Sequence, residues 1–301
     1  MSSIFPLCVV IPNWNLAHDT IACVESLFAA VEDHDVSVVV VDNASTDGSP
    51  QALATAFGRR VIQLQMPRNL GFAGAVNAGM RYTLEHGGAA TLIMNNDTVV
   101  DREMLAVLDR AALAHPEAGI LGPAIYYMHP PDRVWRLGDR DHRWLPIPLR
   151  IPDREAANEV VEATYGTGCG MLVRREVIEA IGYLDDRFFM YYEDADYCRR
   201  ATQQGFRVLC IPAARMWHKV SASAGQDGAS QVFWRARGQA IFYRKHARRG
   251  YRVLAHGFVA VKTAAMWLRF ISCGLRVQAG SLLRGTWAGY QTQLTPEAHG
   301  G

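Results

Sequence analysis

The sequence predicts an α/β fold, a doubly wound and mostly parallel sheet, and three observations lead there. Apolar runs rich in Val and Ile, such as "LCVVIP", "VSVVVVD" and "TLIMNN", alternate with helix-length segments through the first half of the chain. Runs that are apolar on both faces belong to strands covered on both sides, the habit of parallel sheets. Each run ends on short polar residues, and right-handed crossovers place those ends along one edge. The chain has 301 residues, half of them hydrophobic and 20 % charged, enough to bury a substantial core.

The elements follow in order. Residues 7–12 read as the first strand, 17–30 as a helix and 36–42 as the second strand. In "STDGSPQALATAF", Ser45, Thr46 or Asp47 is placed to cap the next helix. "VIQLQM" is the third strand, Gly71 to Glu85 a helix, "TLIMNN" the fourth strand and 101–114 a helix. Residues 126–160 break the alternation with Pro, Trp and mixed charge, and read as an insertion. A short helix follows "ATYGTGCGMLVRR"; another starts near Glu193 and stops at Gly205, before the strand "FRVLCIP". After Gln231 the chain turns basic and helical. These shifts divide it into an α/β domain over 1–232, with a break near 125, and a basic helical extension over 233–301.

Ligands of open α/β sheets sit at the carboxyl ends of the strands. Here those ends read "PNWN", "DNAS", "MPRN" and "NNDT". Any one of them is an ordinary turn, but four along one edge favour a shared ligand site. A dehydrogenase would show G-x-G-x-x-G after the first strand and a P-loop protein G-x-x-x-x-G-K-[ST]; neither is present. The Gly-rich "NLGFAGAVNAG" follows the third strand instead and opens a helix whose N-terminus favours an anion. Asp42 ends the second strand, where a carboxylate can accept hydrogen bonds from a base or ribose. Asp97 ends the fourth. Beside a diphosphate a carboxylate is tolerable when a cation bridges the two, and Mg²⁺ or Mn²⁺ suits that role.

"VVIPNWN", "VVVVDNASTDGS", "RNLGFAGAVNAG", "MNND", "GTGCGMLVRR", "FFMYYEDADYCRRA" and "MWH" occur in this order. The set resembles the family 2 glycosyltransferases with the GT-A fold, a Rossmann-like sheet, and especially their bacterial rhamnosyltransferase and galactofuranosyltransferase branch. It covers about residues 5–220, and implies that 1–232 is a catalytic domain with a donor-binding half to about 125 and an acceptor half over about 126–232. The resemblance implies that "NND" stands for the D-x-D metal motif of that fold, with Asn95 in place of its first Asp and Asp97 as the main carboxylate ligand. It implies His218 as a further ligand, and it places the nucleotide against Pro12, Asn13, Asp42, Arg68 and Asn77. Asn43, Asn69 and Asn96 are counted with them on the same edge.

Inverting sugar transfer needs a base for the acceptor hydroxyl and neutralisation of the leaving diphosphate. Glu193 and Asp194 stand at a helix N-terminus behind the aromatic run 188–192. The helix dipole lowers their pKa, while the aromatic surround and carboxylate crowding raise it. The resemblance makes Asp194 the base and gives Glu193 a role in positioning the acceptor; Asp196 pairs with Arg199 or Arg200 at helical spacing. Cys169 has no His nearby in sequence and reads as a small buried thiol. Trp135 and Trp144 suit either a sugar surface or the core. The segment "KVSASAGQDGAS" after His218 suits a loop that orders over bound donor.

Charge is split along the chain. Residues 1–232 carry 20 Lys and Arg against 28 Asp and Glu, whereas 233–301 carry 11 against Glu297 alone. Lys262, Arg269 and Arg276 are seven apart and form one slowly drifting stripe on a helix. Around them lie Phe258, Val259, Val261, Met266, Trp267, Phe270, Ile271 and Leu275, but charges interrupt each apolar run before the ~20 residues that span a bilayer. Peripheral contact with an anionic membrane fits this pattern; packing on the catalytic domain or in a homo-oligomer fits it too. Nucleic acid suits the charge, yet no RRM, KH or helix-turn-helix pattern appears. Six scattered cysteines and an N-terminus without a signal-peptide pattern point to the cytoplasm, with a peripheral place on the inner face of the membrane.

The function expected is inverting, metal-dependent transfer of L-rhamnose from dTDP-rhamnose to a glycan or polyprenyl-diphosphate-linked acceptor in cell-surface polysaccharide synthesis. UDP-galactofuranose or another nucleotide sugar is the alternative donor. A non-catalytic sugar-nucleotide-binding or membrane scaffold protein is the alternative class.

Overall fold

A computed structural model describes residues 3–31, 34–142, 148–220, 228–247 and 249–294. The elements in chain order are β1 (Leu7–Asn13), α1 (Ala17–Ala30), β2 (Val36–Asp42), α2 (Ser49–Phe57), β3 (Val61–Gln65), α3 (Gly71–Glu85), β4 (Ala90–Met94) and β5 (Thr98–Val100). Then come α4 (Met104–Ala114), β6 (Ala118–Tyr127), β7 (Val134–Arg136), β8 (Asp139–Asp141), β9 (Pro148–Arg150), β10 (Val161–Ala163), β11 (Gly170–Arg174) and α5 (Arg175–Ile181). The last elements are α6 (Glu193–Gln203), β12 (Arg207–His218), α7 (Ala229–His246), α8 (Arg252–Ser272) and α9 (Arg276–Gln291).

The main sheet runs β10-β12-β6-β11-β4-β1-β2-β3, with β5 paired to β12 and β7 to β6. β4, β1, β2 and β3 are mutually parallel, as the apolar runs predict. β11 lies antiparallel between β4 and β6, so the order reverses there and the second half of the sheet is mixed. Helices cover both faces. Val9 and Ile11 of β1 and Val38 and Val40 of β2 share one core with Val24 and Leu27 of α1, Leu53 of α2 and Leu105 and Leu108 of α4. The intervening Val10, Val39 and Val41 point the other way, to Ala75 of α3. Strand alternation thus sends neighbouring valines into two cores, which is why the runs lack polar residues.

Four details differ from the sequence reading. α2 starts at Ser49, after Gly48 with φ 81°; Asp47 accepts the Ser49 N–H at 3.0 Å, and neither Ser45 nor Thr46 caps the helix. β4 stops at Met94, before the asparagines, and the chain turns and returns as β5. "FRVLCIP" is only the first part of β12, which continues to His218 across a register shift between Ile211 and Arg215. The shift falls at Pro212, which has no N–H to donate to the ladder. β6, with Gly122 and Pro123 inside it, has no counterpart in the sequence reading.

The chain separates into two compact units. One holds the sheet with α1 to α6 from Asp194 onward. The other holds α7, α8 and α9 together with the segment Arg187–Glu193. Within this second unit α7 and α9 pack backbone to backbone at small residues. A Cβ at Gly285 of α9 would come 2.2 Å from the Phe233 carbonyl oxygen of α7. The segment 187–193 is held by α7: Arg237 donates to the Phe188 carbonyl at 3.4 Å, and the Phe189 ring stacks on Trp234 with centroids 4.2 Å apart.

Candidate functional site

β1 and β2 run in register, so that Asn13 lies opposite Asp42 at their carboxyl ends. Asn13 is fully buried, and its amide links three strand ends. Its Nδ2 donates to Asp42 Oδ1 at 2.9 Å and to Ser45 Oγ at 3.2 Å. Its Oδ1 accepts from Thr20 Oγ1 at 2.7 Å and from Asn96 Nδ2 at 3.3 Å. The second Asp42 oxygen accepts the Ser45 N–H at 3.0 Å. Asn13, Asp42 and Asn96 are therefore one network beside the half-buried Pro12. Thr20 and Ser45 complete it; Thr20 carried no signal in the sequence, and Ser45, read there as a helix cap, instead binds Asn13 and Asp42.

The other residues expected on this edge divide. Asn43 donates to the Gly71 carbonyl and accepts the Leu70 N–H, both at 2.9 Å, while Asn69 Oδ1 accepts the Gly71 N–H at 2.8 Å. These two side chains shape the turn that starts α3. Arg68 is exposed next to that turn. Asn77 lies apart from the network. Its amide donates to the Leu184 carbonyl at 2.8 Å and accepts the Leu184 N–H at 2.9 Å, so both ends are engaged by distant backbone.

The early end of β4 brings two further candidates together. β5 pairs with the far end of β12, with Thr98 opposite His218, so the turn before β5 delivers Asp97 to that histidine. Asp97 Oδ1 lies 3.1 Å from His218 Nε2, and the Asn95 amide nitrogen lies 3.5 Å from the same atom. The imidazole meets the Trp135 ring edge-on at 4.7 Å, which gives that tryptophan a place in packing. His218 Nδ1 is buried without a hydrogen-bond partner among the described residues. A carboxylate oxygen and one nitrogen of a neighbouring imidazole form a donor pair that fits a divalent ion. Among the described residues no third His, Cys, Asp or Glu joins them, so such an ion would keep most of its positions for ligand oxygens.

A short path of two hydrogen bonds joins this turn to the expected base. The Asn95 N–H donates to the Cys169 carbonyl at 3.2 Å, and the preceding Gly168 N–H donates to Asp194 Oδ2 at 3.1 Å. Asp194 Oδ1 accepts the N–H of Ala195 at 2.8 Å. Burial raises the Asp194 pKa and outweighs the lowering by these two N–H groups; Arg136 lowers it further and Asp139 raises it. Of the two opposing influences seen in the sequence, desolvation prevails. A Cβ at position 168 would sit 2.9 Å from the Phe72 ring of α3, so a larger residue there would displace that ring. Phe72 is thus a neighbour of the Gly168 loop that no pattern announced.

The remaining carboxylates have separate roles. Asp196 is fully buried and pairs with Arg200 at 2.9 Å, one of the two partners expected. Arg200 also donates to the Ile181 and Tyr183 carbonyls at 2.7 Å each. Glu193 is buried at the end of the segment held in the second unit. Cys169 is buried and its thiol is pushed well above its ordinary value by that burial, as expected of an inert cysteine. Trp144 and residues 221–227 of the loop after His218 lie outside the described residues.

A family model described as "Glycosyl transferase family 2" matches residues 8–182. The chain is 32 % identical over 228 residues to an N-acetylglucosaminyl-diphospho-decaprenol L-rhamnosyltransferase of Mycobacterium tuberculosis, covering 69 % of this chain and 74 % of that protein. It is 27 % identical over 204 residues to the dTDP-rhamnosyl transferase RfbF of Shigella flexneri, covering 65 % of this chain and 64 % of the relative. A mannosyltransferase from Pyrobaculum calidifontis, solved in complex with GDP-mannose and Mn²⁺, shares the fold with a TM-score of 0.60 at 16 % identity, over 95 % of this chain and 87 % of that one. The chain belongs to the family 2 glycosyltransferases, with a GT-A fold, in the branch that holds rhamnosyl- and galactofuranosyltransferases.

Proposed function

We propose that this family 2 glycosyltransferase transfers L-rhamnose from dTDP-rhamnose, with inversion, to a polyprenyl-diphosphate-linked or glycan acceptor at the inner face of the cytoplasmic membrane. The reading rests on one observation above the others: Asp97 and His218 meet at 3.1 Å, and a two-hydrogen-bond path runs from their turn to Asp194. The names of the relatives, which include a rhamnosyltransferase acting on a diphospho-decaprenol acceptor and a dTDP-rhamnosyl transferase, support the donor and the acceptor class.

In this reading Asn13, Asp42 and Asn96 face the nucleoside, and Asp42 keeps its oxygens in place through Asn13 and Ser45. Asp97 and His218 hold a divalent ion, Mg²⁺ or Mn²⁺, which when bound supplies positive charge to the leaving diphosphate. Asp194 accepts the proton of the acceptor hydroxyl while that oxygen bonds to the anomeric carbon; the bond to the diphosphate breaks and dTDP leaves with its electron pair. Two backbone N–H groups hold the Asp194 carboxylate, so it does not need to be reoriented for each turnover.

The test is a transfer assay with dTDP-rhamnose and with UDP-galactofuranose on a polyprenyl-diphosphate-linked N-acetylglucosamine acceptor, with Mn²⁺ or with EDTA. Rhamnosyl product that disappears with EDTA and in Asp194→Asn supports the reading. Product from UDP-galactofuranose alone replaces the donor, and nucleotide binding without product from either donor points to a scaffold protein.

A further inference from the structure

In the second unit α8 is apolar on both sides, but only one side is covered. Ala255, Val259 and Thr263 are buried, and Met266, Trp267 and Phe270 pack on Val232 and Ala236 of α7 and Leu282 of α9. On the opposite side Val253, Leu254, Val261, Leu268 and Ile271 stand 42 % to 84 % exposed. Leu254, Val261 and Leu268 are seven apart and lie almost in one line along the helix. Between them Gly257, Ala264 and Ala265 are exposed and uncharged, so no polar residue breaks the stripe. Soluble monomers seldom leave so continuous an apolar strip open. Lys262 and Arg269 border it on one flank, and no acidic residue occurs from Trp234 to Gln293. The apolar residues named from the sequence were therefore only partly the outward ones: Trp267, Met266, Phe270 and Val259 face the unit's own core.

We propose that this outer face of α8 lies in the headgroup layer of an anionic lipid bilayer, with Leu254, Val261 and Leu268 among the acyl chains and Lys262 and Arg269 at the lipid phosphates. The charge decides between occupants. Two copies meeting through this face would bring two basic rims together, whereas anionic lipid neutralises each of them. The 21 residues of α8 are long enough to cross a hydrocarbon layer. Crossing would strip Met266, Trp267 and Phe270 from their partners and sink Lys262 into lipid; lying in the plane keeps the core intact and lets the Lys262 ammonium reach the phosphates. The inference deepens the proposed reading by giving the enzyme and a lipid-linked acceptor a common surface, but it depends on no step of sugar transfer.

The experiment is co-sedimentation of the full chain with vesicles of phosphatidylcholine alone and of phosphatidylcholine with phosphatidylglycerol. Binding is expected on the anionic vesicles and is expected to weaken with salt. Val261→Asp with Leu268→Asp should reduce it by about tenfold or more, and Lys262→Gln or Arg269→Gln by roughly fivefold each. Melting like that of the native chain, and unchanged transfer to a water-soluble acceptor, show that the variants fold. Equal pelleting of the native chain and the double variant overturns the proposal. So does a dimer in sedimentation velocity that the double variant abolishes while no vesicles are bound. Vesicle binding without sugar transfer from any donor removes the functional reading and leaves this one standing.

Discussion

Asp194 shows at the scale of one residue how burial and hydrogen bonding compete. Burial raises its pKa more than the N–H groups of Gly168 and Ala195 lower it. Over the window between the ordinary and the raised value the folded state binds more protons than the unfolded state, so this group lowers folding stability as pH rises through it. With Asp194 as the proposed base, turnover needs its ionised form, and the acid limb of kcat/KM is therefore expected above the ordinary aspartate value of about 3.9. A limb at or below that value contradicts the assignment. Cysteines give a second expectation. Cys8, Cys23, Cys169, Cys198 and Cys210 are buried and Cys273 is exposed; burial pushes Cys23, Cys198 and Cys210 up to about 12. A thiol reagent should titrate one fast group in the native chain and none in Cys273→Ser. Among single residues, Asp97, His218 and Asp194 stand out in the sequence through the ordered blocks around them, and the structure brings the first two within 3.1 Å. Asn77 was not, since its partner Leu184 lies 107 positions away and is backbone, which carries no side-chain signal.

At the scale of elements, α6 depends on its buried ion pair. Arg200 ties Asp196 to the carbonyls of Ile181 and Tyr183, and so holds the helix that begins at Glu193. Taking the guanidinium away from a buried carboxylate typically costs about 3–5 kcal/mol. Arg200→Ala is expected to lose that much in urea unfolding, and a loss near zero would show the pair to be dispensable. The parallel strands were legible because a run of valines between turn residues has few other readings. β5 and the far part of β12 were not, because three residues and a Pro-broken run acquire strand character only by pairing with each other. That pairing is what sets Asp97 beside His218. The segment Arg187–Glu193 carries a comparable lesson: Phe189, Tyr191 and Tyr192 hold φ of 65° to 74°, a left-handed backbone that bulky side chains adopt only where their surroundings impose it.

For the whole molecule, the charge split was plain in the sequence, and it coincides with helices α7 to α9, which carry the apolar and basic face. The inclusion of 187–193 in the same unit was invisible, because it rests on aromatic and backbone contacts with α7 far along the chain. The catalytic unit makes one demand that the rest of the account depends on: the turn after β4 and the end of β12 must share a cation. Manganese titration followed by electron paramagnetic resonance, with dTDP present, measures this directly. The native chain is expected to bind one ion per nucleotide, with affinity reduced about tenfold or more in Asp97→Asn and in His218→Ala. An ion bound equally well by all three proteins would contradict the account.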